Sequence, residues 1–271
     1  MMLVSDLYKK TLYIADIDFL INNTIYEYDL AKANISILRQ ANVITESFYQ
    51  EMLNADRMTR QVTIGKLYRN NETIRTTLDN GFIEARRLLF DSNNIEDKDV
   101  LSIKKDAVFV LKRLSNTKFY EYLDFKEKNL YTSYYKISSQ KKELYYSKHP
   151  VTGEEKLDVK GINDESLIYH KDYMIEFLLV LFETVQIDIV DAIGMMNRFM
   201  EMYKAKQLQP GFYRNFNTES KYTIGNGYYL ADNVSTDMLP IINISYNDIL
   251  LRDLYKILAK QYFLTYKKPR C

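Results

Sequence analysis

Two aspartates in strand-like surroundings, Asp29 and Asp106, carry the clearest chemistry in this sequence. Asp29 ends a β-favouring run that begins at Thr24, and Asp106 lies in a short polar stretch between apolar runs, a pattern that predicts a β-hairpin. Taken alone, each aspartate is more often a turn or cap residue. A carboxylate at a strand end and another at a hairpin tip can, however, converge on divalent cations. Nucleotidyl transfer uses this arrangement, because hard oxygen ligands hold Mg²⁺ while substrate phosphates complete its coordination.

The elements around these aspartates predict an α+β fold. Thr45 is a plausible N-cap for a helix that ends near residue 54, and apolar spacing predicts further helices over about 57–68 and 72–90. A hairpin over 100–111 and β-patterned segments from 118 to 160 follow. After Gly161 the pattern becomes mostly helical, notably over 171–206 and 245–264, with loops and short strands over 208–240. We therefore predict a first domain over 1–162 and a mostly helical second domain over 163–271.

Composition excludes several classes of function. The formal net charge of +1 gives no global field for nucleic acid, so any such surface must be a local patch. A single cysteine and two histidines exclude the usual zinc sites and leave little room for a histidine-dependent triad. The apolar run 177–182 is too short to span a membrane, and the first residues show no signal-peptide pattern. We expect a cytoplasmic protein, and the AT-rich codon usage implied by abundant Asn, Ile, Lys and Tyr fits a low-GC bacterium or its phage.

Several motifs occur in the order found in the palm, fingers and thumb of family B DNA polymerases, which the sequence resembles over about residues 25–185. The segment 28–36, which contains Asp29, resembles their motif A, and 60–68 resembles the fingers-helix motif that ends on a tyrosine. The segment 104–110 resembles their aspartate hairpin. Downstream, 125–131 and 141–146 resemble palm strands with Glu-Lys and Lys-Lys-x-Tyr elements, and 157–162 resembles the Lys-Gly element before the thumb.

The resemblance implies a palm with an antiparallel sheet, short helical fingers at about 41–92 and a thumb-like region over 163–271. It implies that Asp29 and Asp106 are catalytic ligands of Mg²⁺ or Mn²⁺. The expected partners are a primed nucleic-acid template, a nucleoside triphosphate and a replication or phage protein, with no membrane. Arg57, Arg60 and Lys66 are expected to hold the phosphates of the triphosphate. Asn34, at the position where these polymerases place the bulky residue that excludes a 2′-hydroxyl, and Tyr68 are also expected to bind the substrate. The residues expected to contact nucleic acid are Lys104, Lys105 and Lys160.

The sequence also departs from the family pattern. The first aspartate of the family hairpin falls on Lys104, and the fingers lysine falls on Gln61 with Arg60 beside it. Lys104 either contacts a primer backbone, takes the place of a metal ion or is an ordinary surface lysine in a hairpin turn. The short segment before Asp29 predicts no exonuclease domain in this chain. Two alternatives to a minimal polymerase therefore stay open: a non-catalytic relative that binds nucleic acid or a replication partner, and an unrelated phage or mobile-element interaction protein.

Overall fold

A computed structural model describes residues 7–137, 142–161, 189–215, 221–229, 234–245, 247–249, 251–253 and 256. Contacts within the chain define two compact units. Unit 1 comprises Met1–Ile17 and Asn23–Tyr131, and unit 2 comprises Asp18–Asn22 and Thr132–Cys271. The described elements mix helices with antiparallel strands, which confirms the α+β class. The predicted division near residue 162 stays a prediction.

The sheet of unit 1 is antiparallel. Its strands are β1 (Leu12–Ile14), β2 (Phe19–Leu30), β3 (Val100–Lys104), β4 (Ala107–Val110), β5 (Lys118–Phe119) and β6 (Leu123–Ile137). The first residues of β2, 19–22, and the last residues of β6, 132–137, belong to unit 2. β1 pairs with β3, β3 with β4, and β4 with β2, while β5 pairs with β6. The predicted β3–β4 hairpin is confirmed. The strand predicted over 119–123 is wrong, because residues 120–122 form a turn between β5 and β6.

Four helices connect β2 to the hairpin in unit 1: α1 (Ala33–Gln40), α2 (Glu46–Asn54), α3 (Arg57–Asn70) and α4 (Glu72–Ser92). The side chains of Thr45, Asp56 and Asn71 accept a backbone N–H bond at the starts of α2, α3 and α4. These caps and bounds confirm the three helices predicted there. The residues of α4 spaced at three or four are buried in the core of unit 1: Ile74, Leu78, Phe82, Ala85 and Leu89.

Gly81 allows α4 to approach α1 closely. A Cβ atom at this position would overlap the Cγ2 methyl group of Ile37, which is itself buried. Glycine is unfavourable inside a helix by propensity. At this position the close packing of α4 against α1 offsets that cost. Gly65 in α3 provides a contrast, because a Cβ atom there would meet no heavy atom within 4 Å.

We therefore expect opposite effects from the same substitution at two helical glycines. Gly81→Ala should lower the free energy of unfolding by about 1–3 kcal/mol, because the added methyl group overpacks the α1–α4 contact. Gly65→Ala should raise it by about 0.5–1 kcal/mol through helix propensity alone. Urea titration followed by circular dichroism measures both. Stabilisation by Gly81→Ala would show that Ile37 can move aside at no cost.

Unit 2 is built on the end of β6 with β7 (Lys142–Lys148) and β8 (Glu155–Lys160), which pair antiparallel in that order. It also contains α5 (Ile189–Lys204) and a hairpin of β9 (Tyr222–Ile224) and β10 (Gly227–Tyr229). The predicted loops and short strands over 208–240 are thus confirmed for the described residues. The first part of the helix predicted over 171–206 and most of that over 245–264 lie outside the described residues. In the part of the chain that is described, no helix is long and apolar enough to cross a membrane.

Candidate metal centre

The structure brings Asp29 and Asp106 together at one end of the paired strands β2 and β4. Asp29 lies opposite Ala107 in the β2–β4 pairing, so it is next to the residue that follows Asp106. The backbone N–H of Leu30 donates to the carbonyl oxygen of Asp106 at 3.0 Å. Strand pairing thus fixes the backbones of the two aspartates side by side, although 76 residues lie between them in the sequence.

The charge of Asp29 acts on the carboxylate of Asp106. The pKa of Asp106 is raised above its ordinary value because burial disfavours the charged form and because the charge of Asp29 repels it. The charges of Lys105 and Lys128 act in the opposite direction. Two carboxylates held close in a partly buried position attract a divalent cation, which would relieve their repulsion.

Lys128 in β6 forms an ion pair with Asp29. Its Nζ lies 3.2 Å from Asp29 Oδ2. Burial lowers the pKa of Lys128, but the charge and hydrogen bond of Asp29 outweigh burial, so the pKa is raised, with further contributions from Glu27 and Asp106. The ammonium therefore lies in a field set by three carboxylates.

Glu27 is a third carboxylate of this region, two residues before Asp29 on β2. Its side chain is buried, and its Oε2 accepts hydrogen bonds from Asn129 Nδ2 at 2.5 Å and from the Tyr131 hydroxyl at 2.8 Å. Residues two apart on a strand share a face of the sheet. Glu27 therefore adds negative charge on the side of Asp29 while its Oε2 is held by two donors from β6.

Arg86 of α4 holds the turn that carries Asp106. Its Nη1 donates to the carbonyl oxygen of Lys105 at 2.5 Å, and its Nε donates to that of Tyr8 at 2.8 Å. Only 1% of Arg86 is exposed, and burial lowers its pKa to about 10 although the charge of Asp106 raises it. The Nη2 atom is buried and makes no hydrogen bond within the described chain. Arg86 is therefore a buried cation, charged at neutral pH, that ties the helix to the hairpin.

The residues predicted to bind a triphosphate lie on α1 and α3. Arg57 and Lys66 are exposed on α3, whereas Arg60 donates to the carbonyl oxygens of Met52 and Ala55 at the end of α2. The Tyr68 hydroxyl donates to the carboxylate of Asp79 in α4. Within the described residues, no hydrogen bond or ion pair joins these four side chains to either aspartate. Arg60 and Tyr68 thus have structural contacts of their own.

Asn34 occupies the first turn of α1, immediately after the strand that carries Asp29. Its Oδ1 is buried and accepts no hydrogen bond from the described residues. The side chain therefore retains an acceptor.

The predicted nucleic-acid contacts are divided between the units. Lys104 lies opposite Ala107, which lies opposite Asp29, so Lys104 and Asp29 share a sheet face about 10 Å apart, two strand spacings. The Lys105 ammonium lies 5.1 Å from the centre of the Phe82 ring. Lys160 belongs to unit 2, where it ends β8 opposite Glu143. Five tyrosines of β6 and β7, which could stack on bases only if they were exposed, are buried in the core: Tyr131, Tyr134, Tyr135, Tyr145 and Tyr146.

Sequence reasoning missed Lys128, Glu27 and Arg86. A signal for Lys128 was present, because it belongs to the Glu-Lys element of the polymerase resemblance. Glu27 could have been found from its two-residue spacing to Asp29. A signal for Arg86 lay in the helical spacing, because it follows the apolar Phe82 by four residues and so lies beside the apolar face. Its neighbour Arg87 pairs with Glu84 and Asp91 at the surface.

The described residues contain no group of three or more histidine, cysteine, aspartate or glutamate side chains arranged to hold a metal. The candidate centre therefore consists of two carboxylates, with Lys128 and Arg86 nearby.

Comparison with known proteins places the chain in a family. None of the curated proteins matches the sequence. Residues 2–260 match the sequence family described as Bacteriophage PBS1 gene 130 protein. The match covers nearly the whole chain and supports the expected phage origin. The chain belongs to the family of the bacteriophage PBS1 gene 130 protein.

Proposed function

We propose that unit 1 is a polymerase-like palm that carries out metal-dependent nucleotidyl transfer on primed nucleic acid. The observation that carries this proposal is the pairing of β2 with the β3–β4 hairpin, which sets Asp29 beside Asp106. The helices α1 to α4 lie between them in sequence, as fingers do between the two aspartate motifs of the resembled family. The order of elements and the register of the strands thus agree with the order of the motifs.

The donor set fits Mg²⁺ or Mn²⁺. Both side chains offer hard carboxylate oxygens, and Mg²⁺ is commonly held by one or two carboxylates, with water and substrate phosphates as its other ligands. The pKa of Asp106 is raised first by burial and then by the charge of Asp29, and a bound cation would offset both effects. When bound, the metal would orient the triphosphate and neutralise its developing charge.

The protein's own residues would prepare this centre. Arg86 fixes the hairpin turn through the Lys105 carbonyl, so the Asp106 carboxylate needs little reorganisation when the cation arrives. Glu27 is held by Asn129 and Tyr131, which keeps its charge beside Asp29 without making it a flexible ligand. Exposed Arg57 and Lys66 on α3 remain our proposed phosphate contacts, and Asn34 our proposed contact to the sugar.

A non-catalytic relative that binds nucleic acid is the second candidate. It is favoured by the ion pair of Lys128 with Asp29 and by Lys104 at the position of a family aspartate. In that case the ammonium groups would replace the metal charge and the fold would serve as a binding platform.

Primer extension tests the first proposal. Purified protein should extend a labelled primer on a template with Mg²⁺ or Mn²⁺, using deoxynucleotide and ribonucleotide sets in separate reactions. Asp106→Asn should remove the product, which excludes a contaminating polymerase. Salt-sensitive binding of the primed template without any incorporation would favour the non-catalytic relative. Absence of both binding and incorporation would leave the unrelated interaction protein.

A further inference from the structure

Lys128 is placed to exchange with a metal ion. Its ammonium contacts Asp29 at 3.2 Å, yet 54% of its side chain is exposed. A four-carbon stem with an exposed head can turn towards solvent at little cost. Arg86, a buried cation of the same site, is fixed by two carbonyl oxygens and cannot do the same.

The Lys128 ammonium lies 3.2 Å from Asp29 Oδ2, so a divalent cation bound to Asp29 would be close to it. The two positive charges would repel each other strongly. Both are attracted by the charges of Asp29 and Asp106, and the repulsion between them grows because the site is partly shielded from water. Binding of the metal therefore favours release of Lys128 from Asp29.

We propose that Lys128 is a resident cation that the metal displaces from Asp29 and that then pairs with a phosphate of the metal-bound triphosphate. This inference rests on the proposed function. Lys128 would hold the two carboxylates in place before the metal arrives and afterwards contribute positive charge to the substrate. The same residue would thus oppose the bare metal and favour the metal–triphosphate complex.

The phosphate partner follows from position and charge. The released ammonium stays within the length of its own stem from Asp29, where a triphosphate bound to the metal must lie. Among the side chains described for the site, Lys128 is the exposed cation in direct contact with a proposed metal ligand. Ammonium groups are common phosphate partners as compact point charges.

The test compares Lys128→Met with Lys126→Met. Lys126 lies two residues earlier on the same strand and face and pairs with Asp124 at 2.5 Å, so it is a matched exposed lysine in an ion pair. Mn²⁺ alone is titrated into each protein by calorimetry, and then a non-hydrolysable nucleoside triphosphate is titrated in the presence of saturating Mn²⁺. Lys128→Met should bind Mn²⁺ roughly tenfold more tightly and the triphosphate roughly tenfold more weakly, as expected for one nearby charge. Lys126→Met should change neither.

Opposite signs for the two ligands are the signature of exchange. Unchanged or weaker Mn²⁺ binding by Lys128→Met would overturn displacement, and unchanged or tighter triphosphate binding would overturn the phosphate partnership. Asp29→Asn separates this from the proposed function. If Asp29→Asn binds Mn²⁺ like the natural protein, the metal centre itself fails. If it loses Mn²⁺ and Lys128→Met has no effect, only the role of Lys128 fails.

Discussion

Asp106→Asn is expected to abolish Mn²⁺ binding and nucleotide incorporation without destabilising the metal-free protein at neutral pH. Two protein carboxylates form the proposed centre, so loss of either removes one of its two protein ligands. Asp29→Asn should have the same effect on metal and activity. The fold should tolerate Asp106→Asn, because the charged form of Asp106 is disfavoured by burial and by Asp29.

The effect of Asp106→Asn on the free energy of unfolding should depend on pH, and its direction follows from the raised pKa of Asp106. The ordinary pKa of the Asp106 carboxyl is 3.8, and its pKa in the folded protein is higher. The native state therefore binds a proton more readily than the unfolded chain. The resulting stabilisation is fully present below the unfolded pKa and is lost as the pH rises through the folded pKa. Relative to the natural protein, the metal-free Asp106→Asn variant should gain stability as the pH is raised from about 3.8 towards neutrality.

Calorimetric Mn²⁺ titration and urea unfolding at several pH values measure both effects. Asp91→Asn is the control, since Asp91 is an exposed α4 carboxylate paired with Arg87 and lies outside the proposed centre. It should keep Mn²⁺ binding and change stability by less than about 1 kcal/mol. Full Mn²⁺ affinity in Asp106→Asn would remove the proposed chemistry.

Local patterns in the sequence predicted much of unit 1. The cap at Thr45 and the spacing of apolar residues in α4 are local signals, and the structure follows them. The hairpin around Asp106 was likewise predictable from two apolar runs and a polar turn. β2 was recognised only at its end, because polar and exposed residues 22–24 interrupt its alternation.

Long-range contacts explain what the sequence did not predict. By propensity alone, Gly81 is expected to weaken its helix. Its role in close packing becomes clear only from the contact with Ile37. The ion pair of Lys128 with Asp29 joins residues that are 99 positions apart in the sequence. It forms because β2 and β6 are neighbours in the sheet. Arg60 is basic and on the predicted helix, yet its guanidinium caps the carbonyl groups that end α2. Residue type suggested the chemistry of these side chains, but only tertiary contacts reveal which partner each one uses.

Arg86→Met is expected to be the most destabilising substitution near the candidate centre. It would leave the Tyr8 and Lys105 carbonyl oxygens without their charged donor, in a position where Arg86 is 1% exposed. Hydrogen bonds to charged groups contribute about 1.5–3 kcal/mol each, and part of the loss is recovered because a buried guanidinium no longer needs desolvation. We therefore expect the free energy of unfolding to fall by about 3 kcal/mol.

Arg86→Lys and Arg87→Met make this expectation specific. Lysine keeps the charge but cannot span two carbonyl oxygens with a planar fork, so Arg86→Lys should recover only part of the lost stability. Arg87, the next residue on α4, pairs with Glu84 and Asp91 at the surface, where such pairs contribute about 1 kcal/mol or less. Urea unfolding of the three variants would rank them Arg86→Met, Arg86→Lys, Arg87→Met in order of decreasing loss. If Arg86→Met unfolded no more easily than Arg87→Met, the hairpin turn would not depend on the buried guanidinium, and the position of Asp106 would have to be set by strand pairing alone.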